Sequence, residues 1–125
     1  MRGINGWFGV GALLAGVGVL LGAFGAHGLK GRVTPELLVI FETGVRYQLF
    51  HALGLLSVGW AATRAPSTWI SVAGWAFALG IAIFSGSLYV MTVTGARWLG
   101  AITPIGGLAF LTGWACLTVG AWRKP

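Results

Sequence analysis

Acidic residues are scarce in this 125-residue chain, which contains only Glu36 and Glu42. Charged residues of both signs make up 8% of the sequence, against about 25% in soluble domains. So few charges cannot cover the surface of a soluble domain of this size. The formal net charge of +6 reflects the shortage of acids, because the eight lysines and arginines are scattered along the chain. We therefore expect no nucleic-acid partner, which would require basic residues clustered on one face.

Cysteine occurs once, as Cys116 inside an apolar run. A single cysteine excludes an intrachain disulfide and a thiolate metal cage. The chain also has no Gly-x-x-x-x-Gly-Lys-Ser/Thr phosphate loop, no Gly-x-Ser-x-Gly motif and no His-Glu-x-x-His zinc motif. We therefore expect a protein without enzymatic activity, bound metal or cofactor.

Long uncharged runs are what the chain has instead. They cover residues 3–26, 65–96 and 98–122, and a fourth run, 47–63, is uncharged apart from His51. About 20 apolar residues in a helix cross a hydrocarbon core of roughly 30 Å. The sequence therefore predicts an all-α fold, a four-transmembrane-helix bundle, which forms one integral membrane domain over residues 1–125. The predicted helices lie at about 4–26, 35–62, 67–93 and 99–122.

The first run also has features of a signal peptide, with small residues at 23–26 where cleavage would occur. Its length favours a retained first span. Thr34 and Pro35 predict the start of the second helix, as its N-cap and first helical residue. Pro104 predicts either a kink in the fourth helix or its true start.

The second predicted helix is longer than the membrane core and carries charge in its first half, at Glu36, Glu42 and Arg46. Charges at the bilayer centre are costly. We therefore expect its first turns to lie at or outside the interface. Gly44 is the natural place for a bend, and residues 47–62 would form the embedded part.

Small residues recur every four positions in three of the predicted helices. Membrane helices associate by close backbone approach at such positions. The pattern indicates either packing within one bundle, which we favour, or a seam between two copies. The predicted packing positions are Gly18 and Gly22, then Gly74, Ala78, Ala82 and Gly86, and finally Ala109 and Gly113.

Polar side chains lie near helix ends that alternating topology brings to one side of the membrane. Glu42 and Arg46 stand at i,i+4 in the order that favours a helical ion pair. Such residues can be structural or can form a polar pocket or proton path. Haem ligation by two histidines, or a metal held by them and Glu42, are weaker alternatives. The predicted polar cluster is His27, Glu42, Arg46, Tyr47, His51, Ser85 and Thr103.

Four sequence blocks form a pattern that covers the whole chain in order. They are 22–30 (Gly-Ala-Phe-Gly-Ala-His-Gly-Leu-Lys), 43–48 with 51–54, 84–89, and 97–107. Together they resemble the YgdD/YwdK family of small bacterial membrane proteins, which is classed as a domain of unknown function. The resemblance implies a four-span inner-membrane protein and no assigned activity.

These observations favour a non-enzymatic protein of the bacterial inner membrane that acts through helix packing, a protein partner or a homo-oligomer. A small transporter or channel component is the alternative, and a membrane cofactor-binding protein is a second one. The positive-inside rule leans weakly towards cytoplasmic termini. The terminal side would carry Arg2, Arg64, Arg123 and Lys124, and the other side Lys30, Arg32 and Arg97.

Overall fold

The computed structural model describes residues 5–123. Its α-helices are α1 (Gly6–Phe24), α2 (Pro35–Arg64), α3 (Thr68–Gly80), α4 (Gly86–Thr94) and α5 (Thr103–Trp122). A first π-helical segment, Gly25–Leu29, extends α1, and a second, Ile81–Ser85, joins α3 to α4. A 3-10 turn at Arg97–Ala101 precedes α5. The all-α part of the predicted fold is confirmed.

The helix starts follow from local sequence. The Thr34 side chain accepts a hydrogen bond from the backbone N–H of Leu37, and Pro35 opens α2, as predicted. Pro104 lies in the first turn of α5, where its missing N–H has no intrahelical partner to lose. Pro104 therefore marks the start of that helix.

Three helical segments within residues 5–123 are long and apolar enough to cross a membrane: Gly6–Leu29, Thr68–Thr94 and Arg97–Trp122. The second predicted span, α2, is not among them. Glu36, Glu42, Arg46 and Arg64 lie along its 30 residues, and the uncharged stretch between Arg46 and Arg64 also contains the polar Gln48 and His51. The difference from the predicted four spans therefore rests on α2 alone.

The α2 helix is the element around which the others pack. It contacts α1, α3, α4 and the second π-helical segment, and its buried residues recur at helical spacing from Phe41 to Gly59. The α5 helix packs mainly on α3 and the second π-helical segment. We call the continuous helical stretch Thr68–Thr94, made of α3, the second π-helical segment and α4, the α3–α4 unit. Because α2 and α5 both pack on this unit but make few contacts with each other, a groove remains between them.

Glycines set the distance between α1 and α2. A Cβ at Gly11 would lie 2.8 Å from the carbonyl oxygen of Ala52, and one at Gly59 would lie 2.7 Å from the backbone nitrogen of Phe8. Backbone atoms cannot move aside as a flexible side chain can. The Asn5 amide adds a hydrogen bond of 2.7 Å to the Gly59 carbonyl, so the start of α1 is tied to the second half of α2.

The predicted packing glycines serve contacts between different helix pairs. Gly18 and Gly22 face Leu49 and Val45 of α2, Gly74 faces the Trp7 ring, and Gly113 faces the Phe77 ring. Ala78 and Ala109 are half-buried. No single ridge therefore carries the bundle.

The predicted ridge on the third span is wrong beyond Ala78. Ala82 is exposed, and nothing lies within 4 Å of a Cβ built at Gly86. The cause is the π-helical segment Ile81–Ser85, whose hydrogen bonds run from i to i+5. This wider turn rotates the following residues, so a four-residue spacing no longer stays on one face.

Gly11→Ala should lower the stability of the protein by about 1–3 kcal/mol, because the added methyl group meets backbone atoms of α2. Gly16→Ala on the same helix is the matched control, since nothing lies within 4 Å of its Cβ, and alanine favours helix over glycine. Thermal unfolding in detergent measures both. Equal melting temperatures for the two variants would contradict the close approach of α1 and α2.

Candidate functional site

Two clefts lie in the groove between α2 and α5. The first, which we call the aromatic cleft, has a volume of about 600 Å³. The second, of about 590 Å³, lies nearer the C-terminal ends of the same helices. The aromatic cleft is lined by Tyr47, Phe50, His51, Phe84, Gly107, Phe110, Leu111 and Trp114.

One side-chain hydrogen bond crosses this groove within residues 5–123. The indole N–H of Trp114 donates to Nε2 of His51 at 3.0 Å. Trp114 also lines the aromatic cleft, and Leu117, one turn further along α5, lines the second. The His51–Trp114 contact therefore bridges α2 and α5 at the end of the aromatic cleft that is nearer the second cleft.

Both ring nitrogens of His51 are engaged. Nδ1 lies 2.7 Å from the carbonyl oxygen of Tyr47, one turn earlier on α2. A carbonyl oxygen only accepts and an indole N–H only donates, so these partners select the neutral tautomer with its hydrogen on Nδ1. The ring stacks on Phe110 with 3.6 Å between centroids. His51 would have to give up a hydrogen bond to bind a metal or carry a proton.

Aromatic rings form the wall around His51. The Tyr47 ring lies 4.9 Å from the Phe84 ring, and the Phe84 ring lies 5.4 Å from the Phe110 ring, between centroids. Phe84 belongs to the second π-helical segment. Tyr47 is 37% exposed and stands at the rim of the cleft. The result is a concave apolar surface whose rings are held by one another.

A separate polar network joins α2 to α1 and α4. Gln48 is buried, its Nε2 donates to the Leu14 carbonyl at 2.9 Å, and its Oε1 accepts from the Tyr89 hydroxyl at 2.6 Å. The buried Ser85 hydroxyl donates to the Gly44 carbonyl at 2.6 Å. Buried polar groups in apolar surroundings need such partners. Every buried side-chain nitrogen and oxygen of residues 5–123 has one.

Gly44 has a packing role in this network. The α2 helix runs unbroken through Gly44, where the sequence suggested a bend. A Cβ there would lie 2.8 Å from a ring carbon of Tyr89. The absence of a side chain thus lets α4 approach the carbonyl to which Ser85 donates.

Two contacts lie at the end of the bundle where α2 and α5 begin. The hydroxyls of Ser87 and Thr103 lie 2.6 Å apart and join α4 to the start of α5. Arg97 and Glu36 form an ion pair with a nitrogen–oxygen distance of 3.4 Å. Both of these charged side chains are well exposed, so the pair contributes little to stability.

The predicted single polar cluster is not formed. Tyr47 and His51 lie at the aromatic cleft, Ser85 lies against Gly44, and Thr103 lies beside Ser87. These places belong to different helix pairs. Alternating topology predicts which helix ends share a membrane side, but it does not say which face of a helix each side chain occupies.

The remaining three members of the predicted cluster lie at the surface of the bundle. His27, Glu42 and Arg46 are all exposed. No ion pair joins Glu42 to Arg46 within the part of the chain that the structure describes. The reason is helical geometry: α2 buries the face that contains Phe41 and Val45, and positions 42 and 46 lie roughly 100° further round the helix.

His27 and His51 do not meet as the haem or metal alternatives would need. His27 is exposed on the first π-helical segment, whereas His51 is buried on α2. Within residues 5–123, no group of three or more His, Cys, Asp or Glu side chains could hold a metal ion.

Three residues outside the predicted cluster carry the observed contacts: Gln48, Tyr89 and Trp114. The sequence does indicate a role for Gln48, because an amide side chain inside an apolar run needs a polar partner in the membrane. It gives no such indication for Tyr89 and Trp114, because both residue types are ordinary in membrane spans. Only the tertiary packing shows which neighbours their polar atoms meet.

A double-mutant cycle with His51→Leu and Trp114→Phe should give a coupling energy of about 0.6 kcal/mol, the average for hydrogen bonds between membrane helices, and at most about 1.7 kcal/mol, the largest value found for them. The coupling energy is obtained from the free energies of unfolding of the unaltered protein, the two single variants and the double variant, all measured in detergent. Trp98→Phe is the control for losing an indole N–H, because Trp98 is 67% exposed. Additive effects of the two substitutions would contradict the hydrogen bond.

Comparison with known proteins identifies the family. The family described as "Protein of unknown function (DUF423)" matches residues 21–107. The UPF0382 membrane protein YwdK of Bacillus subtilis is 46% identical over 113 residues, which cover 90% of this chain and 92% of YwdK. The UPF0382 inner membrane protein YgdD of Escherichia coli is 42% identical over 105 residues, covering 84% of this chain and 80% of YgdD. No solved structure matches the chain significantly. The chain is an integral membrane protein and belongs to the DUF423 family.

Proposed function

We propose that this protein is a non-enzymatic, four-span protein of the bacterial inner membrane that binds a transmembrane helix of another polypeptide in the aromatic cleft. The observation that carries the proposal is the cleft itself. It is a concave apolar surface between two helices that a single side-chain hydrogen bond joins within the described chain.

The fourth span would be α2, embedded over residues 47–62. Its charged residues Glu36, Glu42 and Arg46 lie in the first half, and Arg64 ends the helix, so the stretch between them is free of charge. A span in this position is also favoured by the contacts of α2 with both α1 and the α3–α4 unit. Four spans put both termini on one side, and the positive-inside rule favours the cytoplasm.

Cysteine labelling in intact cells tests the topology. In a Cys116→Ala background, Lys30→Cys and Ala65→Cys should label from opposite sides of the membrane, because α2 separates them. Both positions are exposed in turns that flank α2. Labelling of both from one side would show that α2 does not cross, and the four-span proposal would fail.

A non-enzymatic role is supported by the state of the buried polar groups. His51 uses both ring nitrogens within the protein. Gln48 and Ser85 are committed to contacts between helices. These groups act as parts of the scaffold, which also makes them poor candidates for lining a transport path.

A partner helix is the occupant that suits the shape and chemistry of the aromatic cleft. Gly107 lines it, and the nearest heavy atom to a Cβ built there is a ring carbon of Phe84 at 4.0 Å. A glycine with free space above it allows another backbone to approach closely, which is how helices associate in lipid. Rigid aromatic walls add contact area at a low cost in side-chain entropy.

Site-specific photocrosslinking in native membranes tests the occupant. A photoreactive residue in place of Leu111, which lines the cleft and is 66% exposed, should give a protein adduct of defined mass. The same residue in place of Leu20, 71% exposed on α1, should not. The adduct mass distinguishes a second copy of this chain from a different protein.

A large side chain that fills the aromatic cleft should prevent the partner helix from binding. Gly107→Leu should abolish the adduct, whereas Gly16→Leu on the outer face of α1, with nothing within 4 Å of its Cβ, should leave it unchanged. Adducts with lipid alone would overturn the proposal. Proton or ion flux in proteoliposomes that is lost on His51→Ala would replace it with the transporter alternative.

A further inference from the structure

The second cleft in the α2–α5 groove differs from the aromatic cleft by having arginine at its mouth. Its walls come from residues 56–61 of α2 and 117–121 of α5, and Ile70 forms part of its floor. Arg64 lies at its end, where a smaller hollow of about 270 Å³ continues to Arg123. The cleft and the hollow share Arg64, Ala65 and Gly120, so the apolar cleft continues into a hollow lined by two arginines.

We infer that this second cleft binds one anionic phospholipid, with an acyl chain between α2 and α5 and the phosphate at Arg64 and Arg123. The site is distinct from the aromatic cleft. Its assignment does not depend on which molecule occupies that cleft.

The position of Arg123 is set by a contact across the hollow. Its guanidinium carbon lies 5.8 Å from the ring centroid of Trp69, a cation–π distance. Trp69 is at the start of α3, and Arg64 is the last residue of α2. Arg123 directly follows α5, so the two arginines lie at the ends of different helices and line one hollow. Guanidinium groups are well suited to bind phosphate oxygens.

The charged side chains near this hollow are all positive. The two acidic residues of the chain, Glu36 and Glu42, lie 28 and 22 residues before Arg64 on the same helix, which is roughly 42 and 33 Å at the standard rise. Neither carboxylate can reach the hollow. No glutamate of the chain therefore neutralises the two arginines, and an anionic phospholipid, which carries a net negative charge that a zwitterionic phospholipid lacks, suits this site.

The second cleft has a charged end for the headgroup of a phospholipid and an apolar part for its acyl chain. Trp60, Trp69 and Trp122, all exposed, surround this end of the bundle, and tryptophan is enriched at the level of the lipid headgroups. The arginines thus lie at headgroup level. The apolar walls run from there towards Leu56, in the direction of the hydrocarbon core, where an acyl chain belongs.

Native mass spectrometry of the whole protein in detergent, with added phosphatidylglycerol or phosphatidylcholine, tests the inference. We expect one tightly retained phosphatidylglycerol and a clear preference for it. Arg64→Gln with Arg123→Gln should weaken retention by about fivefold for each arginine, or roughly 30-fold together. Lys30→Gln with Arg97→Gln removes the same charge at the opposite end and should leave retention unchanged.

Two further arms identify what is recognised. Ala121→Phe places a ring in the apolar cleft and should reduce phosphatidylglycerol retention, whereas Ala12→Phe on the exposed side of α1 should not. Inorganic phosphate should not raise the melting temperature as phosphatidylglycerol does. Stabilisation by phosphate alone would assign the hollow to free anions, and equal retention of the two lipids, or an unchanged arginine variant, would overturn the inference. Circular dichroism confirms that each variant is folded.

Discussion

The structure depends on one constraint, which is that the polar groups on the central helix α2 must be satisfied away from water. Gln48 meets this need by bonding to the Leu14 carbonyl and to the Tyr89 hydroxyl, and His51 by bonding to Trp114. Each of these bonds crosses to a different neighbour. Because an unpaired polar group is expensive in an apolar interior, the bonds also select which helices lie against which faces of α2.

The groove between α2 and α5 exists because both helices pack on the same α3–α4 unit. Both pack on the α3–α4 unit and meet each other at few points, so space is left along their outer edges. The His51–Trp114 hydrogen bond spans that space once. One cleft is then walled by aromatic rings, while the other ends at Arg64. The two clefts therefore suit different occupants, although the same pair of helices builds both.

The π-helical segment Ile81–Ser85 shows how a local irregularity can serve several contacts. It places Phe84 in the aromatic cleft and directs Ser85 to the Gly44 carbonyl. Its backbone also lies against α5, because a Cβ at Gly106 would clash with the backbone of Phe84. The wider turn thus brings α2 and α5 onto one segment, and it ends the small-residue ridge that the sequence alone suggested.

The sequence by itself determined the helical class, the start of α2 and the membrane setting of this protein. Uncharged runs, Thr34 with Pro35, and Pro104 are local signals, and local signals specify where a helix starts and how apolar it is. The tertiary structure alone decided which polar residues meet. Glu42 and Arg46 have favourable spacing but lie off the buried face of α2, whereas His51 and Trp114 are 63 positions apart and form a hydrogen bond. The physical reason is that a side chain's partners depend on the rotation and packing of whole helices, which no short stretch of sequence encodes.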